Sequence, residues 1–313
     1  MTSVVSLVHG DDRYRNVTQA LELISDEIRG SFNQKRRVLI KPNLVSTSRQ
    51  LASTHVETVK AVLDFLNKFN PAEVIIAEGS AGDTFSAYRN FGYLALQDSY
   101  GVDLIDLNRD NYVEVPILDR NFREIDVRVA KTMFEFDYIV SLAIPKTHDC
   151  VIVTESLKNI VVGSLVDGDK SKIHQGYPAQ NIDLFKIASL IPARLAVIDG
   201  FEAMEGNGPV GGDPVEMRVA ISSCDFVAAD AVGATLMGFD PINVGYLYYA
   251  HEFKLGCADL KSLRIIGEDV KAHIRSFKPH RGYEEQKKWR IPENRKSPVL
   301  EWLRRGKPSA VGV

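Results

Sequence analysis

Residues 138–148 read YIVSLAIPKTH, a run of seven mostly apolar residues that ends at Pro145 and is followed by Lys146 and His148. The apolar residues are consecutive rather than alternating, which is typical of a strand in a parallel sheet covered on both faces. Proline has no N–H to donate to a neighbouring strand, so we expect the strand to span Tyr138–Ile144. The segment therefore predicts a central strand of an α/β fold, with a lysine and a histidine at its carboxyl end.

Apolar runs of similar length recur along the chain, separated by segments with helical periodicity. The other predicted strands are Val4–Val8, Val38–Ile40, Val74–Ala77, Leu104–Leu107, Leu195–Ile198, Arg218–Ser222 and Leu263–Ile266. The predicted helices are Val17–Ile28, His55–Asn67, Phe85–Asn90, Asp183–Ile191 and Phe226–Met237. We therefore predict a three-layer α/β fold in which a mostly parallel sheet carries helices on both faces. In residues 112–130 apolar and polar residues alternate around a turn, which predicts a small antiparallel insertion.

The charge of the chain is divided unevenly along its length. The 313 residues carry a formal net charge of −3, but residues 275–313 contain eleven Lys or Arg against four Glu, which leaves −10 for the rest. Both tryptophans, Trp289 and Trp302, lie in this basic segment. We predict an α/β domain over residues 1–270 and a basic C-terminal extension over residues 271–313. The extension either wraps around the domain on its tryptophans or extends to a partner.

Composition excludes several classes of protein. With 45% hydrophobic and 25% charged residues, the chain is globular rather than disordered. Cys150, Cys224 and Cys257 are isolated, so we expect no iron–sulfur cluster, zinc ribbon or disulfide scaffold from this chain. Cys150 is expected to be a buried free cysteine, with a thiolate role as the alternative.

With no signal peptide and no apolar stretch near roughly 18 residues, we expect a cytoplasmic protein without membrane contact. The acidic body disfavours a nucleic-acid partner.

Charged or polar turns follow four of the predicted strands. The turns are Lys41-Pro42-Asn43, Glu78-Gly79-Ser80, Lys146-Thr147-His148 and Asp199-Gly200. In an open parallel sheet, ligands bind beyond the carboxyl ends of the strands, where these turns converge. Lys41 alone is explained as a solvated strand end, but a second proline-flanked lysine, Lys146, favours a functional role for both.

Further polar side chains follow the turn at Lys146. The candidate ligand-binding residues there are Thr154, Ser156, Lys158 and Asn159. They offer a cation and hydrogen-bond donors to phosphate or carboxylate, although Thr154 is also a candidate helix N-cap. The polar segment Gly163–Tyr177 is predicted to be a mobile loop that closes over a ligand. His174 in this loop is a candidate acid or base, with an ordinary surface histidine as the alternative.

A glycine-rich region lies between residues 199 and 213. Gly206 and Gly208 permit a close approach of the backbone to a ligand. The candidate ligands of a hard divalent cation such as Mg²⁺ are Asp199, Glu202, Glu205 and Asp230. The alternative is a flexible turn whose acidic side chains are solvated. The region is not a P-loop, because it lacks the pattern G-x-x-x-x-G-K-[ST].

Several of these motifs occur together in a specific order. They are Lys41-Pro42-Asn43-Leu44, Pro145-Lys146-Thr147-His148, Thr154-x-Ser156-Leu157-Lys158-Asn159, His174, Asp199-Gly200, Glu205-Gly206-Asn207-Gly208-Pro209, Ala229-Asp230-Ala231 and Met237-Gly238-Phe239-Asp240-Pro241. Over about residues 36–268 the chain resembles the domain-of-unknown-function 362 family. The resemblance implies a shared α/β domain and a shared polar site, and it supplies no established reaction. Many relatives are described as iron–sulfur proteins because they carry an appended ferredoxin-like cysteine segment, which this chain lacks.

We predict an enzyme that binds a small phosphate- or carboxylate-bearing molecule at the carboxyl edge of the sheet. The predicted catalytic residues are Lys146, His148, Lys158 and His174. The predicted ligand-binding residues are Lys41, Asn43, Ser80, Thr154, Ser156, Asn159, Gly206 and Gly208. Two alternatives stay open: a redox protein that receives electrons from a separate iron–sulfur partner, and a non-catalytic module whose basic extension docks a partner.

Overall fold

The computed structural model describes residues 2–32 and 36–304, which form twelve strands and thirteen α-helices. The strands are β1 (Val4–His9), β2 (Arg37–Lys41), β3 (Glu73–Glu78), β4 (Asp103–Asp106), β5 (Tyr112–Leu118), β6 (Glu124–Ala130), β7 (Tyr138–Ala143), β8 (Lys146–His148), β9 (Ile152–Thr154), β10 (Ala193–Glu205), β11 (Asp213–Ser223) and β12 (Arg264–Gly267). The helices are α1 (Arg13–Leu23), α2 (Ser25–Ser31), α3 (Val56–Asn67), α4 (Thr84–Asn90), α5 (Leu94–Tyr100), α6 (Thr132–Glu135), α7 (Ser156–Val162), α8 (Tyr177–Ala188), α9 (Phe226–Leu236), α10 (Gly245–Glu252), α11 (Val270–His273), α12 (Tyr283–Gln286) and α13 (Glu293–Arg304). None of these helices has the length and apolar character that a transmembrane span requires.

Ten of the strands belong to one sheet, whose main order is β12-β1-β11-β10-β7-β2-β3-β4, with β8 and β9 attached beside β10. From β10 to β4 each strand pairs in parallel with the next, whereas β11 is antiparallel to both of its neighbours. The direction of β11 follows from its short connection to β10, because a parallel pair needs a crossover of a dozen or more residues. The prediction of a mostly parallel sheet is confirmed.

Helices cover both faces of this sheet. Val38 and Ile40 of β2 pack with α1 and α3 on one face, and Leu39 between them packs on the opposite face with α7, α8 and α9. The consecutive apolar residues of the central strands therefore serve two separate cores, which is why they do not alternate with polar residues. The predicted three-layer architecture is confirmed.

The antiparallel insertion is confirmed in residues 112–130. β5 and β6 form a separate two-stranded sheet, with Tyr112 opposite Ala130 and Leu118 opposite Glu124. Val115 and Val127 of this hairpin are buried in the same core as α8. The hairpin therefore extends one face of the molecule rather than the main sheet.

The glycine-rich region forms the end of a long hairpin. β10 continues through Glu205 and β11 begins at Asp213, so the strands extend further into this region than predicted. A register shift between Gly200 and Glu202 bends the hairpin at the point where it passes the edge of the sheet. Gly206, Gly208, Gly211 and Gly212 all lie in residues 206–212, which form the turn that joins the two strands.

The C-terminal extension packs against the α/β body as far as the structure describes it. Trp289 and Trp302 are only 3% and 7% exposed, and Trp289 Nε1 donates to the carbonyl oxygen of Asn243 at 2.8 Å. Of the two sequence-based alternatives, the described part of the extension therefore wraps around the body. Residues 305–313, which include two of the basic residues counted in the extension, lie outside the described residues.

Candidate functional site

The carboxyl ends of β2, β3 and β7 meet at one edge of the sheet, as their parallel pairing requires. Lys41 and Glu78 end β2 and β3, and the chain continues from β7 through Pro145 into β8, which carries Lys146 and His148. A cavity of about 210 Å³ opens at this edge. Seven of the predicted site residues line it: Asn43, Lys146, His148, Thr154, Lys158, Asn159 and His174.

An ion pair between Lys41 and Glu78 lies beneath the cavity, where both side chains are buried. Burial lowers the pKa of Lys41 and raises the pKa of Glu78, while the attraction between the two groups opposes both shifts. Gly163 packs directly over the pair, and a Cβ atom there would overlap the Lys41 ammonium group and the Glu78 carboxylate. This close approach requires glycine at position 163.

Two asparagines connect the ion pair to Lys146. Lys41 Nζ donates to Asn159 Oδ1 at 3.3 Å, and Asn43 Nδ2 donates to the same oxygen at 3.2 Å. Lys146 Nζ donates to Asn43 Oδ1 at 2.6 Å and to the carbonyl oxygen of Ala52 at 2.7 Å. Burial lowers the pKa of Lys146 to about 7, with a smaller contribution from nearby Lys158. Two neutral oxygen acceptors therefore hold the Lys146 ammonium group in the cavity wall.

Lys158 enters the cavity from α7 and is only 6% exposed. No hydrogen bond or ion pair joins its ammonium group to any residue that the structure describes. Burial lowers the pKa of Lys158 to about 8, and it does the same to the pKa of Lys170 on the following loop. The lining contains three lysines against two carboxylates, Glu78 and Asp149, and Glu78 is already paired with a lysine beneath the cavity. The cavity therefore carries an excess of positive charge.

The turn between β8 and β9 brings a histidine, a carboxylate and a thiol together beside His174. His148 Nδ1 lies 2.8 Å from Asp149 Oδ1 and 3.0 Å from the backbone nitrogen of Cys150. Burial, assisted by nearby Lys158, lowers the pKa of His148 to about 3, so its ring is neutral at pH 7. His174 Nδ1 lies 3.7 Å from Cys150 Sγ and 3.2 Å from Gln180 Nε2, and burial lowers the pKa of His174 as well. Both histidines are therefore available in the neutral form.

Two of the predicted ligand residues and one predicted metal ligand shape the start of α7. Thr154 lies in β9 opposite Lys146 rather than at a helix N-cap. The backbone N–H groups of Ser156 and Leu157 each donate to the Asp230 carboxyl group at 2.8 Å. Asp230 thus caps α7 from the neighbouring helix α9, which explains an acidic residue inside an apolar helix.

Ser80, Gly206 and Gly208 lie next to the cavity rather than in its lining. Ser80 lines a neighbouring depression together with Asn108. The carbonyl oxygen of Gly206 accepts from Thr147 Oγ1 at 2.9 Å, and a Cβ atom at Gly208 would overlap the Thr147 carbonyl oxygen. The two glycines therefore support β8, which carries Lys146 and His148.

The four acidic residues proposed as magnesium ligands are not brought together. Asp199 pairs with Arg13 at 3.1 Å and accepts from Thr58, and Glu205 accepts from the Lys278 backbone nitrogen at 2.8 Å. Glu202 is exposed on β10, and Asp230 is buried beneath α7. Within the described residues, the one group of three metal-type side chains consists of His148, Asp149 and Cys150. This group contains none of the four acidic residues.

Four residues of the site were not assigned a role from the sequence: Glu78, Asp149, Lys170 and Gln286. The signal for Glu78 was present, because it directly follows a predicted strand. Gln286 gave no signal, since it belongs to the C-terminal extension. Its Nε2 donates to the His148 carbonyl oxygen at 2.7 Å, and its Oε1 accepts from the Ile152 backbone nitrogen at 2.9 Å.

Similarities to known proteins extend over much of the chain. A thylakoid-associated protein of Synechocystis sp. is 27% identical over 214 residues, which are 66% of this chain and 65% of that protein. The lactate racemase apoprotein of Thermoanaerobacterium thermosaccharolyticum superimposes with a TM-score of 0.47 at 14% identity, covering 72% of this chain and 57% of the racemase chain. The chain thus spans less than two thirds of the length of each.

The family resemblance seen in the motifs is confirmed. Residues 38–235 match the sequence pattern of one family, and they include β2, β3, β7, β8, α7 and the cavity between them. This chain belongs to the family described as Domain of unknown function (DUF362).

Proposed function

We propose that this protein is an enzyme that binds a small carboxylate- or phosphate-bearing molecule in the cavity at the carboxyl ends of β2, β3 and β7. The observation that carries the proposal is Lys158, a buried ammonium group that faces the cavity without a hydrogen bond or ion pair from the described residues. Burying a charge without a partner destabilises a fold, so such a group is typical of a site whose partner is a ligand.

The charges around Lys158 support the same ligand class. Lys146 and Lys170 line the same cavity, and the pKa of each is lowered by burial, to about 7 and about 8 respectively. A bound anion would stabilise the protonated form of all three lysines and raise their pKa values. The Asn43 side-chain amide lies beside Lys146 in the lining and has a second N–H, which offers a further hydrogen bond to an oxyanion.

His174 is the proposed acid or base of the reaction. It lines the cavity, and the lowering of its pKa by burial and by Lys158 keeps the ring neutral at pH 7. Gln180 Nε2 is an amide donor, so at 3.2 Å it faces an unprotonated Nδ1 and the ring proton resides on Nε2. A neutral histidine beside bound substrate is suited to proton transfer near pH 7. His148 and the lysines stabilise negative charge that develops on the substrate.

Calorimetric titration with oxalate and with inorganic phosphate tests the proposal. We expect the wild-type chain to bind at least one of these anions, and Lys158→Met to weaken that binding roughly 10- to 100-fold, as for loss of a hydrogen bond to a charged group. Lys158→Met should melt at or above the wild-type temperature, because methionine fills a similar volume without a desolvated charge. The matched control is Lys60→Met, on the exposed side of α3, which should bind like the wild type. Equal binding by Lys158→Met and the wild type would contradict the proposal.

A further inference from the structure

We propose that His148, Asp149 and Cys150, with His174 beside them, form a binding site for one divalent transition-metal ion of the zinc type. The nitrogen, oxygen and sulfur ligand atoms of the first three residues all lie within 4.8 Å of one another. Cys150 Sγ lies 3.7 Å from His174 Nδ1. Ligand atoms around a tetrahedral zinc ion are roughly 3.5 Å apart, given Zn–N and Zn–S bonds of about 2.0–2.3 Å. The three ligand atoms are therefore already gathered close to the spacing that coordination requires.

His148 and Asp149 already lie in contact through Nδ1 of the ring. The Cys150 backbone nitrogen lies 3.0 Å from His148 Nδ1. Asp149 Oδ1 lies 2.8 Å from the same nitrogen. With its proton on Nδ1, the neutral ring donates a hydrogen bond to this oxygen. A metal ion bonded to both atoms would take the place of that proton, and the ring would then carry its proton on Nε2.

The backbone of the turn is held in the shape that gathers these side chains. Ile152 has a φ of 68°, an uncommon conformation for a β-branched residue. Gln286 spans the turn with hydrogen bonds to the His148 carbonyl oxygen and the Ile152 backbone nitrogen. Strain at a β-branched residue persists only where surrounding contacts enforce it, and such positions concentrate at ligand sites.

The chemistry of the donors selects the kind of metal. Imidazole and thiolate ligands favour zinc and neighbouring transition metals, whereas magnesium prefers oxygen ligands alone. On binding, the Cys150 thiol loses its proton to solvent and the sulfur bonds to the metal as a thiolate. The thiolate and the Asp149 carboxylate together balance the two positive charges of the ion, which offsets repulsion from Lys158 in the same cavity.

Titration of the full chain with Co²⁺ in metal-free buffer tests the site. We expect one Co²⁺ per chain, a thiolate-to-cobalt charge-transfer band in the near ultraviolet, and displacement of cobalt by Zn²⁺. The charge-transfer band should vanish in Cys150→Ser, and Cys224→Ser and Cys257→Ser should retain it as matched controls. Absence of the band from the wild type, or its persistence in Cys150→Ser, would overturn the proposal.

A second measurement requires no substitution. Zn²⁺ should slow alkylation of Cys150 by iodoacetamide at least tenfold, because a thiolate bonded to a metal reacts more slowly. Alkylation of Cys224 and Cys257 should not be slowed. Mass spectrometry of the peptides reports all three residues in one experiment. Equal rates at Cys150 with and without Zn²⁺ would overturn the site even if the serine variant failed to fold. Lys158→Met should still bind Co²⁺, so failure of the anion proposal and failure of the metal proposal are distinguishable.

Discussion

Burial sets the chemistry of the individual lysines in and beneath the cavity. Lys41 is buried with a carboxylate partner, Lys146 with two neutral oxygen acceptors, and Lys158 without a hydrogen-bonding partner among the described residues. The partners of the three ammonium groups thus range from a carboxylate, through neutral oxygens, to none among the described residues, which leaves Lys158 available to a ligand. The sequence placed all three at one site, because each follows or lies close to a predicted strand end. It did not distinguish their roles, since that depends on contacts with residues distant in sequence.

The affinity for oxalate is expected to fall as the pH rises through about 8. Burial lowers the pKa of Lys158 to about 8, so above this pH the free site loses the proton that the bound anion requires. Each further pH unit should weaken binding by up to about tenfold for each lysine that must take up a proton with the ligand. Calorimetry at a series of pH values checks this, since oxalate keeps its full charge throughout the range.

The conservative variant Lys158→Arg provides the control for this pH dependence. A guanidinium group stays protonated at every pH of the experiment, so the affinity of this variant should fall less steeply. A residual fall is expected from Lys146 and Lys170, whose pKa values burial lowers to about 7 and about 8. Wild-type affinity that stays constant or increases above pH 8 would contradict the assignment.

At the level of secondary-structure elements, the strands were easier to predict than the parts that complete the site. β2, β3 and β7 are marked by consecutive apolar residues and end where Lys41, Glu78 and Pro145 appear in the sequence. α7 was not predicted because both of its faces are buried, so its apolar residues show no helical periodicity. The segment predicted as one helix over Val17–Ile28 is interrupted at Ile24, where α1 ends and α2 begins.

The contact between α12 and the turn after β8 yields a prediction at this scale. Gln286→Leu should leave the His148 carbonyl oxygen and the Ile152 N–H group buried without partners, at roughly 1–3 kcal/mol for each group. Urea denaturation should therefore show a clear loss in the free energy of unfolding. Gln97→Leu, on an exposed surface of α5, is the matched control and should change stability little. A Gln286→Leu variant as stable as the control would show that the two hydrogen bonds of Gln286 contribute little to the free energy of unfolding.

The whole molecule consists of an acidic body with a basic extension packed against it. Phe277, Trp289 and Trp302 of the extension are buried in the same core as α8 and α9. The division between body and extension at residue 270 stays a prediction based on composition. The apolar periodicity that identified the body is weaker in the extension, so its anchoring residues could be guessed only from the two tryptophans.

Deletion of residues 275–313 should destabilise the body. Burial of each large apolar side chain stabilises the fold by about 1.5–3 kcal/mol, which the deletion removes, and the core that the side chain covered becomes exposed. Differential scanning calorimetry should show a lower melting temperature, and Trp289→Ala should lower it by a smaller amount. An unchanged melting temperature after the deletion would instead support an extension that serves mainly to dock a partner.

The hydrogen bonds from Gln286 to the turn after β8 also affect the order in which the site can form during synthesis. His148 and Gln286 are separated by 138 positions, so the turn that carries His148 leaves the ribosome long before Gln286 is synthesised. A growing chain therefore has every residue of the cavity lining before it has the contact that fixes their arrangement. A chain that stops before residue 286 lacks the hydrogen bonds that hold the turn after β8.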